Sequence, residues 1–462
     1  MLSLETCQKA RFSRDPRFDG KFFIAVKTTG IYCRTICPAS PPKEENVEYF
    51  KNAVQAAEAG YRPCLRCRPD SAPSSAAWQG NGATLNRAVR LIDEGALQTG
   101  SIVELARRLG VSDRYLRKLF NEKMGVSPKT YALYQQCLFA KKLLHQTSLP
   151  ITEIALASGF DSIRRFNDCF KQQLKLTPTQ MRKQTNKNNA KLTLKLSYRP
   201  PFDWQKMQRF LSARLIPGLE WIGENFYGRS FIYQGVKGQF TAHHQAEKHQ
   251  FLVEISLEDN RVLKPVVSNI RRVLDLDAEL EQIEQDLTDA LGTNTLISSG
   301  LRLPGIWDVF EAGMRAILGQ QISVTAAKNL VIKLVETLGE KQANEEEAYC
   351  ENVLYFPTPE AIAQSDLAFF KMPESRKQTI TRFAQFAQNQ PVEAQNPDNW
   401  LALKGIGPWT ANYAKMRGLS DPDIFLATDL GVIKALKAHD DFDSEKAAPW
   451  RSYLTFQLWD KL

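Results

Sequence analysis

The chain has 462 residues, 43% hydrophobic and 24% charged, with a formal net charge of +9. A domain takes roughly 100–200 residues, so several domains are expected. No apolar run reaches the roughly 20 residues that span a bilayer, the first residues lack the apolar core of a signal peptide, and eight cysteines are too sparse for a secreted disulfide scaffold. These features predict a cytoplasmic protein without a membrane partner.

The positive charge is concentrated in the front of the chain. Residues 79–189 hold 18 Lys and Arg against 8 Asp and Glu, and residues 1–78 hold 12 against 8. The rest of the chain is slightly acidic, with 30 against 35. A basic front half is expected if it binds a polyanion such as DNA, although a solvated basic face would give the same balance.

Composition and periodicity predict a multi-domain, mainly α chain. Polar linkers are predicted at Asp70–Gly82 and Arg182–Lys191, a weaker break at Leu291–Ser299, and an acidic surface insertion at Gly339–Asn352. The spacing of apolar residues predicts helices over 84–183 and 266–462, and strands within 1–69 and 191–265. The predicted domains are 1–75, 82–184, 191–297 and 298–462.

The first local signal is a pair of cysteine pairs, Cys33-x3-Cys37 and Cys64-x2-Cys67. Four thiolates with this spacing can bind one tetrahedral Zn²⁺ ion, which would stabilise a domain with a small core. Two reducible disulfides or unrelated buried thiols are the alternatives. A four-thiolate zinc centre carries excess negative charge, so it can be purely structural or it can present a nucleophilic sulfur.

The stretches DGKFFIAVKTTGIYCRTICP, NVEYF and AGYRPCLRCRP resemble the amino-terminal domain of Ada-type DNA alkylation-response proteins. The resemblance covers about residues 4–70. It implies a small zinc α+β domain in which Cys33, Cys37, Cys64 and Cys67 bind the metal. It also implies that Cys33 takes a methyl group irreversibly from a DNA methylphosphotriester. Where the family usually has proline this chain has Thr35, a departure that we expect to leave the chemistry unchanged.

Two further segments share one pattern, SIVELARRLGVSDRYLRKLFNEKMG and PITEIALASGFDSIRRFNDCFKQQL. Each predicts a helix, a turn at a glycine and a second, amphipathic helix that begins after a serine cap, which is helix-turn-helix geometry. A helical bundle of no set purpose would give the same periodicity. Arginine and asparagine side chains of the second helices are the candidate DNA-binding residues: Arg114, Arg117, Arg164, Arg165 and Asn167.

Residues 84–183 resemble the AraC-type DNA-binding domain, which carries two helix-turn-helix units. In Ada-type regulators this domain follows the zinc domain directly, as it does here. The resemblance implies that methylation of Cys33 removes negative charge, favours docking on DNA phosphates and so switches on promoter binding. A regulator of this kind is expected to work with RNA polymerase as a partner.

In the rear half, LKGIGPWTA at 403–411 predicts a tight hairpin between two helices, with Gly405 and Gly407 available to approach DNA phosphate. An ordinary helix connection fits the same residues. Asp429, in FLATDLGVIK, is by itself more typical of a helix N-cap than of a catalytic group.

Together, RPPFDWQKMQRFLSAR, GLRLPGIWDVFEAGMRAILGQQIS, LKGIGPWTANYAKMRGLSDPDIFLATDLGVIK and APWRSYLTFQLW resemble 3-methyladenine DNA glycosylase II over residues 191–462. This implies an α+β amino-terminal domain and an all-α helix-hairpin-helix domain, whose hairpin often binds a monovalent cation. It implies that Asp429 is the catalytic carboxylate, which stabilises an oxocarbenium-like sugar as the base departs.

The same resemblance implies the base pocket. Trp409, Tyr413 and Trp459 are expected to stack on a flipped, electron-poor base, and Trp307 is a further candidate; core packing is the alternative for Tyr413 and Trp307. Trp409 stands where strand-cleaving relatives carry a Schiff-base lysine, so we expect no strand cleavage. Gln321 stands where the family has its DNA-wedging residue. The pair His243 and His244 is predicted in an exposed loop, without a role.

The sequence therefore predicts a bifunctional protein of the alkylation response. Its front half would accept methyl groups at Cys33 and regulate transcription, and its rear half would excise alkylated purines of the 3-methyladenine type. The expected partner is double-stranded DNA, as damaged bases, methylphosphotriesters and promoter sites. The expected location is the cytoplasm, on the nucleoid of a bacterium. The alternative is a regulator whose glycosylase half only binds damaged DNA.

Overall fold

The computed structural model describes residues 4–14, 18, 22–37, 39–64, 67, 69, 83–93, 95–182, 192–291, 297–342, 352–436 and 444–461. The chain divides into two compact units: Met1–Ser197 with Asp259–Ser268, and Tyr198–Glu258 with Asn269–Leu462. The predicted linker Asp70–Gly82 lies outside the described residues, as do most of Arg182–Lys191, Leu291–Ser299 and Gly339–Asn352. No helix in the described ranges is long and apolar enough to cross a bilayer. The mainly α, multi-domain fold class is confirmed.

The first unit begins with a small α+β module built on a four-stranded sheet. Its elements are α1 (Leu4–Ser13), β1 (Phe23–Val26), β2 (Ile31–Cys33), β3 (Val47–Phe50), α2 (Ala53–Glu58) and β4 (Arg62–Pro63). The strand order is β3-β1-β2-β4; β1 is antiparallel to both neighbours, whereas β4 runs parallel to β2. The helix α1 packs on the sheet through Cys7 and Ala10, which contact Phe22, Ile24 and Val47. This core is small, as expected for a module that a metal completes.

The rest of the first unit up to Ser197 is helical, apart from its last strand. Its elements are α3 (Ala83–Asp93), α4 (Ala96–Thr99), α5 (Ile102–Arg108), α6 (Asp113–Met124), α7 (Pro128–Gln146), α8 (Ile151–Ala157), α9 (Ile163–Leu174), α10 (Pro178–Met181) and β5 (Leu192–Ser197). The pairs α5–α6 and α8–α9 are the two predicted helix-turn-helix units. Ser112 and Ser162 cap α6 and α9 by accepting hydrogen bonds from Tyr115 N and Arg165 N, which confirms the predicted caps.

The second unit combines an antiparallel sheet with a helical bundle. Four strands are neighbours in the order β9-β8-β7-β6: β6 (Glu220–Ile222), β7 (Phe226–Tyr233), β8 (Val236–Gln245) and β9 (Gln250–Leu257). The helices are α11 (Trp204–Ser212), the end of α12 (Leu263–Val273), whose residues up to Ser268 belong to the first unit, α13 (Leu280–Leu291), α14 (Val309–Leu318), α15 (Val324–Leu338), α16 (Pro359–Gln364), α17 (Glu374–Asn389), α18 (Pro408–Gly418), α19 (Leu430–Leu436) and α20 (Arg451–Trp459). The helix α14 lies at the centre of the bundle, where Ala312 and Ile317 are fully buried.

The loop predicted for His243 and His244 is wrong, because both residues belong to β8. His244 packs against Trp204 and Phe251, with ring centroids 5.5 and 4.8 Å away, and its Nε2 is hydrogen-bonded to the Tyr198 hydroxyl at 2.8 Å. Burial among these rings lowers the pKa of His244 to about 4, since the apolar surroundings disfavour the charged imidazolium. His244 is therefore a neutral packing residue at physiological pH.

Candidate functional site

The structure brings the four predicted cysteines together. The sulfur atoms of Cys33, Cys37, Cys64 and Cys67 all lie within 4.8 Å of one another. Four thiolates about 2.3 Å from one Zn²⁺ ion would be roughly 3.8 Å apart in a tetrahedron, so this cluster fits the ion. All four are free thiols, which removes the disulfide alternative for these residues.

Parallel pairing of β2 and β4 explains why the two cysteine pairs meet. Ile31 pairs with Arg62 and Tyr32 with Pro63, so both strands end at the same edge of the sheet. Cys33 is the last residue of β2, and Cys64 follows β4 and donates its backbone N–H to Tyr32 O at 2.9 Å. Each pair is then completed by the residue three or four positions further along the chain. The tertiary pairing of two short strands thus positions all four ligands.

Cys33 differs from the other three cysteines in exposure. Cys37, Cys64 and Cys67 are buried, whereas Cys33 is only partly buried. In the metal-free thiol cluster, hydrogen bonding with Cys33 lowers the pKa of Cys37 to about 7 and lowers that of Cys64, whereas hydrogen bonding with Cys37 raises the pKa of Cys33, and the pKa of Cys67 is raised as well. The sulfur of Cys33 therefore needs the bound metal to stay deprotonated, and Cys33 is the member of the cluster that an incoming group can reach.

A cleft of about 440 Å³ opens beside Cys33. Four arginines line it: Arg11, Arg14, Arg34 and Arg62. None of its described lining residues is an Asp or Glu, so the cleft favours an anionic or phosphate-bearing ligand. Sequence reasoning missed this cleft because its arginines are scattered over the first 62 residues and only the fold gathers them.

The predicted DNA-binding residues of α6 and α9 lie on exposed faces. Arg114 and Arg117 are exposed on α6, opposite the buried Leu116 and Phe120. The corresponding residues of α9 repeat the arrangement: Arg164, Arg165 and Asn167 are exposed, and Phe166 and Phe170 are buried. Within α6, Arg117 Nε is 3.7 Å from Asp113 Oδ2, a surface ion pair that DNA phosphates could replace. These faces carry the side chains that a major groove would meet.

The hairpin at 403–408 joins a short 3-10 helix, Pro397–Ala402, to α18. Gly405 has φ +100°, and a Cβ there would lie 2.0 Å from Thr379 Oγ1, so this turn requires glycine. The carbonyl oxygens of Lys404 and Gly405 accept hydrogen bonds from Arg382 Nη1 at 2.8 Å and Gln320 Nε2 at 3.1 Å. A monovalent cation would compete with these donors for the two oxygens, and the hairpin cation stays a prediction.

Asp429 lies at the amino terminus of α19 and its carboxylate accepts four hydrogen bonds. Oδ1 accepts from Gly431 N at 2.9 Å and Val432 N at 3.2 Å, which makes Asp429 the helix cap that the sequence allowed for. Oδ1 also accepts from Trp459 Nε1 at 2.9 Å, and Oδ2 accepts from Trp409 Nε1 at 3.2 Å. Capping the helix requires only the backbone hydrogen bonds, not the two from the indole N–H groups. The two tryptophans therefore hold the carboxylate in a fixed orientation.

Aromatic rings flank this carboxylate. Trp409 stacks on Tyr413 with ring centroids 5.4 Å apart and planes at 26°. Trp459 stacks on Phe210, with centroids 6.4 Å apart and planes at 16°. The predicted trio of Trp409, Tyr413 and Trp459 is thus brought together around Asp429.

Sequence reasoning missed two residues of this pocket, Phe210 and Arg214. The Arg214 guanidinium carbon lies 3.8 Å from the centroid of the Phe210 ring. Burial lowers the pKa of Arg214 to about 10, so it remains charged at neutral pH, and the charge of Asp429 favours it. Phe210 lies in α11 and Arg214 in the turn that follows it, and nothing local in RPPFDWQKMQRFLSAR links either residue to Asp429.

Two predicted residues lie elsewhere. Trp307 is buried and stacks on Phe231 at 4.2 Å, which favours the core-packing alternative over a pocket role. Gln321 is exposed, has φ +59°, and follows Gln320, whose side chain bonds the hairpin and Thr410 Oγ1 at 3.0 Å. Gln321 therefore lies beside the hairpin rather than among the stacked rings.

Comparison with known proteins agrees with this division of sites. Three family profiles match: the metal binding domain of Ada over residues 6–70, a helix-turn-helix domain over 105–184, and the AlkA N-terminal domain over 193–308. A "probable bifunctional transcriptional activator/DNA repair enzyme AlkA" of Mycobacterium tuberculosis is 33% identical, over 99% of this chain and 96% of its own length. The chain belongs to this bifunctional Ada–AlkA family. The profiles and the described cysteine cluster together make the front module of this Ada–AlkA protein a zinc domain.

Partial relatives match each half of the Ada–AlkA chain. DNA-3-methyladenine glycosylase 2 of Escherichia coli is 32% identical over 57% of this chain and 95% of its own length. The regulatory protein ada of Salmonella typhimurium is 35% identical over 37% of this chain and 47% of its own length. The boundaries 1–75, 82–184, 191–297 and 298–462 stay a prediction, as do the roles of the individual site residues.

Proposed function

We propose that this Ada–AlkA protein excises alkylated purines from DNA with Asp429 and accepts methyl groups from DNA methylphosphotriesters at Cys33. One observation carries the excision half of the proposal: the Asp429 carboxylate is held by two indole N–H groups, Trp409 Nε1 and Trp459 Nε1, beside two stacked aromatic pairs. The name of the Escherichia coli relative, DNA-3-methyladenine glycosylase 2, supports the substrate class.

In the proposed excision, the target nucleotide leaves the base stack and its base enters the space between the aromatic walls. An alkylated purine is electron-poor and often cationic, so the faces of Trp409 and Tyr413 bind it through stacking and cation–π attraction. As the N-glycosidic bond breaks, positive charge develops on the sugar. Asp429 lies ready as a fixed negative charge, and Oδ2, which accepts only one of the four hydrogen bonds, is the oxygen free to face it.

The products follow from the residues present. Water attacks the cationic sugar carbon and the base leaves, so the strand keeps an abasic site. Trp409 offers no amine at the position where a Schiff base would form, and so the reaction is hydrolytic without strand cleavage. Phe210 and Arg214 close the pocket on the side of Trp459.

In the front half, the Cys33 sulfur attacks the methyl carbon of a methylphosphotriester. A new S–CH₃ bond forms, the methyl C–O bond breaks, and the phosphodiester leaves with the electron pair. Zinc, bound by the four cysteines, keeps their sulfurs deprotonated at neutral pH. Because the product is a neutral thioether, the module loses one negative charge and should approach DNA phosphates more closely.

The same proposal gives the transcriptional role. The exposed arginines of α6 and α9 would read promoter sites once the neighbouring module is methylated. Contact with RNA polymerase and a place on the nucleoid, in the cytoplasm of a bacterium, complete the proposed regulatory cycle.

The experiment that tests the excision is base release from duplex DNA that carries methylated purines, with wild type and Asp429→Asn. We expect wild type to release 3-methyladenine and the variant to lose at least about a thousandfold in single-turnover rate, because the carboxylate charge is removed. Asp398→Asn is the matched control, since Asp398 is a surface aspartate of the same unit that pairs with Lys415.

A second function, binding of damaged DNA without excision, is decided by the same experiment. If wild type binds the methylated duplex but releases no base, the glycosylase half only recognises damage and the excision proposal fails. Equal rates for wild type and Asp429→Asn would leave base release standing but remove Asp429 from it.

A further inference from the structure

Two hydrogen-bond donors of residues that line the cleft beside Cys33 have no partner among the residues that the structure describes. Thr35 is only 2% exposed, and its Oγ1 is buried without a hydrogen bond. Arg62 Nη1 is also buried without one. Both residues line the cleft of about 440 Å³ that Cys33 lines. A buried unpaired donor costs roughly 1–3 kcal/mol, so two of them beside a reactive sulfur indicate a ligand that pairs with them.

The fold explains why both donors reach the cleft. Arg62 pairs with Ile31 across the parallel strands β4 and β2, and Cys33 follows Ile31 by two residues, on the same face of the sheet. Thr35 stands in the turn from Cys33 to Cys37, which Cys37 N closes by donating to Arg34 O at 3.2 Å. Thr35 is the second residue of the hydrogen-bonded turn that begins at Arg34, a position that suits proline. Where the family usually has proline, whose ring cannot donate a hydrogen bond, this chain has the Thr35 hydroxyl, which can.

The other arginines of the cleft are already engaged by protein groups. Arg11 donates to Pro42 O and Tyr49 Oη and pairs with Glu44. Arg14 Nη2 donates to Ala39 O, and Arg34 Nη1 donates to Cys67 O, each at 3.2 Å. Among the described arginines of the cleft, Arg62 is the one with a buried nitrogen left unpaired. Arg62 therefore holds a buried guanidinium donor that is ready for a ligand.

We propose that Arg62 and Thr35 form the leaving-group site of the methyl transfer, an inference that rests on the function proposed above for Cys33. Arg62 Nη1 and Thr35 Oγ1 donate to the phosphoryl oxygens of the methylphosphotriester. The Cys33 sulfur supplies an electron pair to the methyl carbon, the C–O bond breaks, and its electron pair stays on the phosphodiester oxygen. No proton moves, so the step leaves one new negative charge on the phosphate.

Arg62 and Thr35 stabilise the negative charge that develops on the departing phosphodiester. The triester is neutral and the departing diester is an anion, so a cation beside it binds the transition state more tightly than the ground state. Arg62 therefore lowers the barrier rather than merely holding DNA. Thr35 adds a neutral donor to the same oxygens, and its contribution is smaller.

The test compares two methyl donors on the full-length, zinc-loaded protein. One is a duplex oligonucleotide with a single backbone methylphosphotriester; the other is methyl iodide, whose leaving group is iodide. Methyl uptake at Cys33 is followed by mass spectrometry under single-turnover conditions. For Arg62→Gln we expect the rate with the triester to fall about ten- to a hundredfold, while the rate with methyl iodide stays within about twofold.

Conservative variants sharpen the test. Thr35→Val keeps the side-chain shape but loses the hydroxyl, and we expect a rate about three- to tenfold lower with the triester. Thr35→Ser keeps the hydroxyl and should restore most of that loss. Lys9→Gln removes a positive charge from exposed α1, outside the cleft, and should change neither rate. Zinc content is measured for every variant to establish that the module is intact.

The outcomes separate the two proposals. If wild type reacts with methyl iodide but takes no methyl group from the triester, the function proposed for Cys33 fails. If wild type reacts with both donors and Arg62→Gln matches it on both, the leaving-group site is wrong. Equal losses of Arg62→Gln with both donors would also overturn it, because they would mean that Arg62 acts on the thiolate centre rather than on the departing phosphate.

Discussion

The cysteine centre and the Asp429 pocket are built in opposite ways. The four cysteines lie within residues 33–67, their sulfurs within 4.8 Å, and a pair of parallel strands brings them together. The pocket gathers Phe210, Trp409, Asp429 and Trp459 from across the second unit. At the cysteine centre, the atom proposed to react is the Cys33 sulfur, which is itself one of the four metal ligands. At the pocket, the Asp429 carboxylate is held by N–H groups that form no bond to the substrate in the proposed reaction.

This difference follows from what each proposed reaction requires of the residues that hold the reacting group. Cys33 is consumed by the proposed reaction, so its centre must keep a sulfur deprotonated and reachable, and a metal with three buried partners does so. In the proposed excision Asp429 acts repeatedly without forming a bond, so it needs a fixed position and an intact charge. Four N–H donors supply both.

The largest difference between the two sites is expected when divalent metal is removed with a chelator. We expect methyl uptake at Cys33 to be abolished and the zinc module to lose its fold, because four uncoordinated thiols cannot replace the metal in so small a core. Base release should persist, since N–H donors hold Asp429. Both activities are assayed on one sample, and added Zn²⁺ should restore methyl uptake. Loss of base release with the metal would mean that the two centres depend on one support.

The indole donors are tested by Trp459→Phe, which keeps an aromatic wall but removes the N–H that bonds Asp429 Oδ1. We expect base release to slow about tenfold, the effect of losing one hydrogen bond to a charge. Trp450→Phe is the matched control, because Trp450 Nε1 bonds Asp286 Oδ2 at 2.9 Å instead. A control rate as low as that of Trp459→Phe would assign the loss to general destabilisation.

The hairpin offers a matched glycine pair. Gly405→Ala forces a side chain into φ +100° and against Thr379 Oγ1, so we expect unfolding to become easier by about 2 kcal/mol or more. Gly407→Ala meets open space and should cost less than about 1 kcal/mol. Denaturant unfolding of both variants checks this. Equal effects would show that the turn does not depend on the conformation of Gly405.

The smallest expected effect concerns pH and Asp275. Burial raises the pKa of Asp275 to about 7, although it accepts hydrogen bonds from Leu303 N and the Tyr453 hydroxyl. The native state therefore binds a proton that the unfolded chain has released, so this group lowers stability as pH rises from about 4 to 7. Asp275→Asn should remove that decline. Thermal unfolding of both proteins at pH 5 and 7 measures it; parallel shifts would contradict the prediction.

Much of the molecule could be predicted from local sequence. The zinc ligands follow from cysteine spacing, and the helix-turn-helix units from apolar periodicity with serine caps at Ser112 and Ser162. The strand-like runs at 191–198 and 249–257 became β5 and β9. These features depend on neighbours within one element or one turn, which is the range over which backbone propensity and capping act.

The sequence by itself determined which residues can do chemistry here: four cysteines, a candidate carboxylate and the tryptophans around it. Only the tertiary structure decided how they are used. It gave Asp429 its two indole donors, stacked Phe210 on Trp459, placed Arg214 over the Phe210 ring and moved Trp307 into a core. It also left Arg62 Nη1 and Thr35 Oγ1 without a hydrogen bond among the described residues. The reason is physical: these contacts join residues far apart in the chain, and burial and hydrogen bonding between distant segments leave no periodic trace in the sequence.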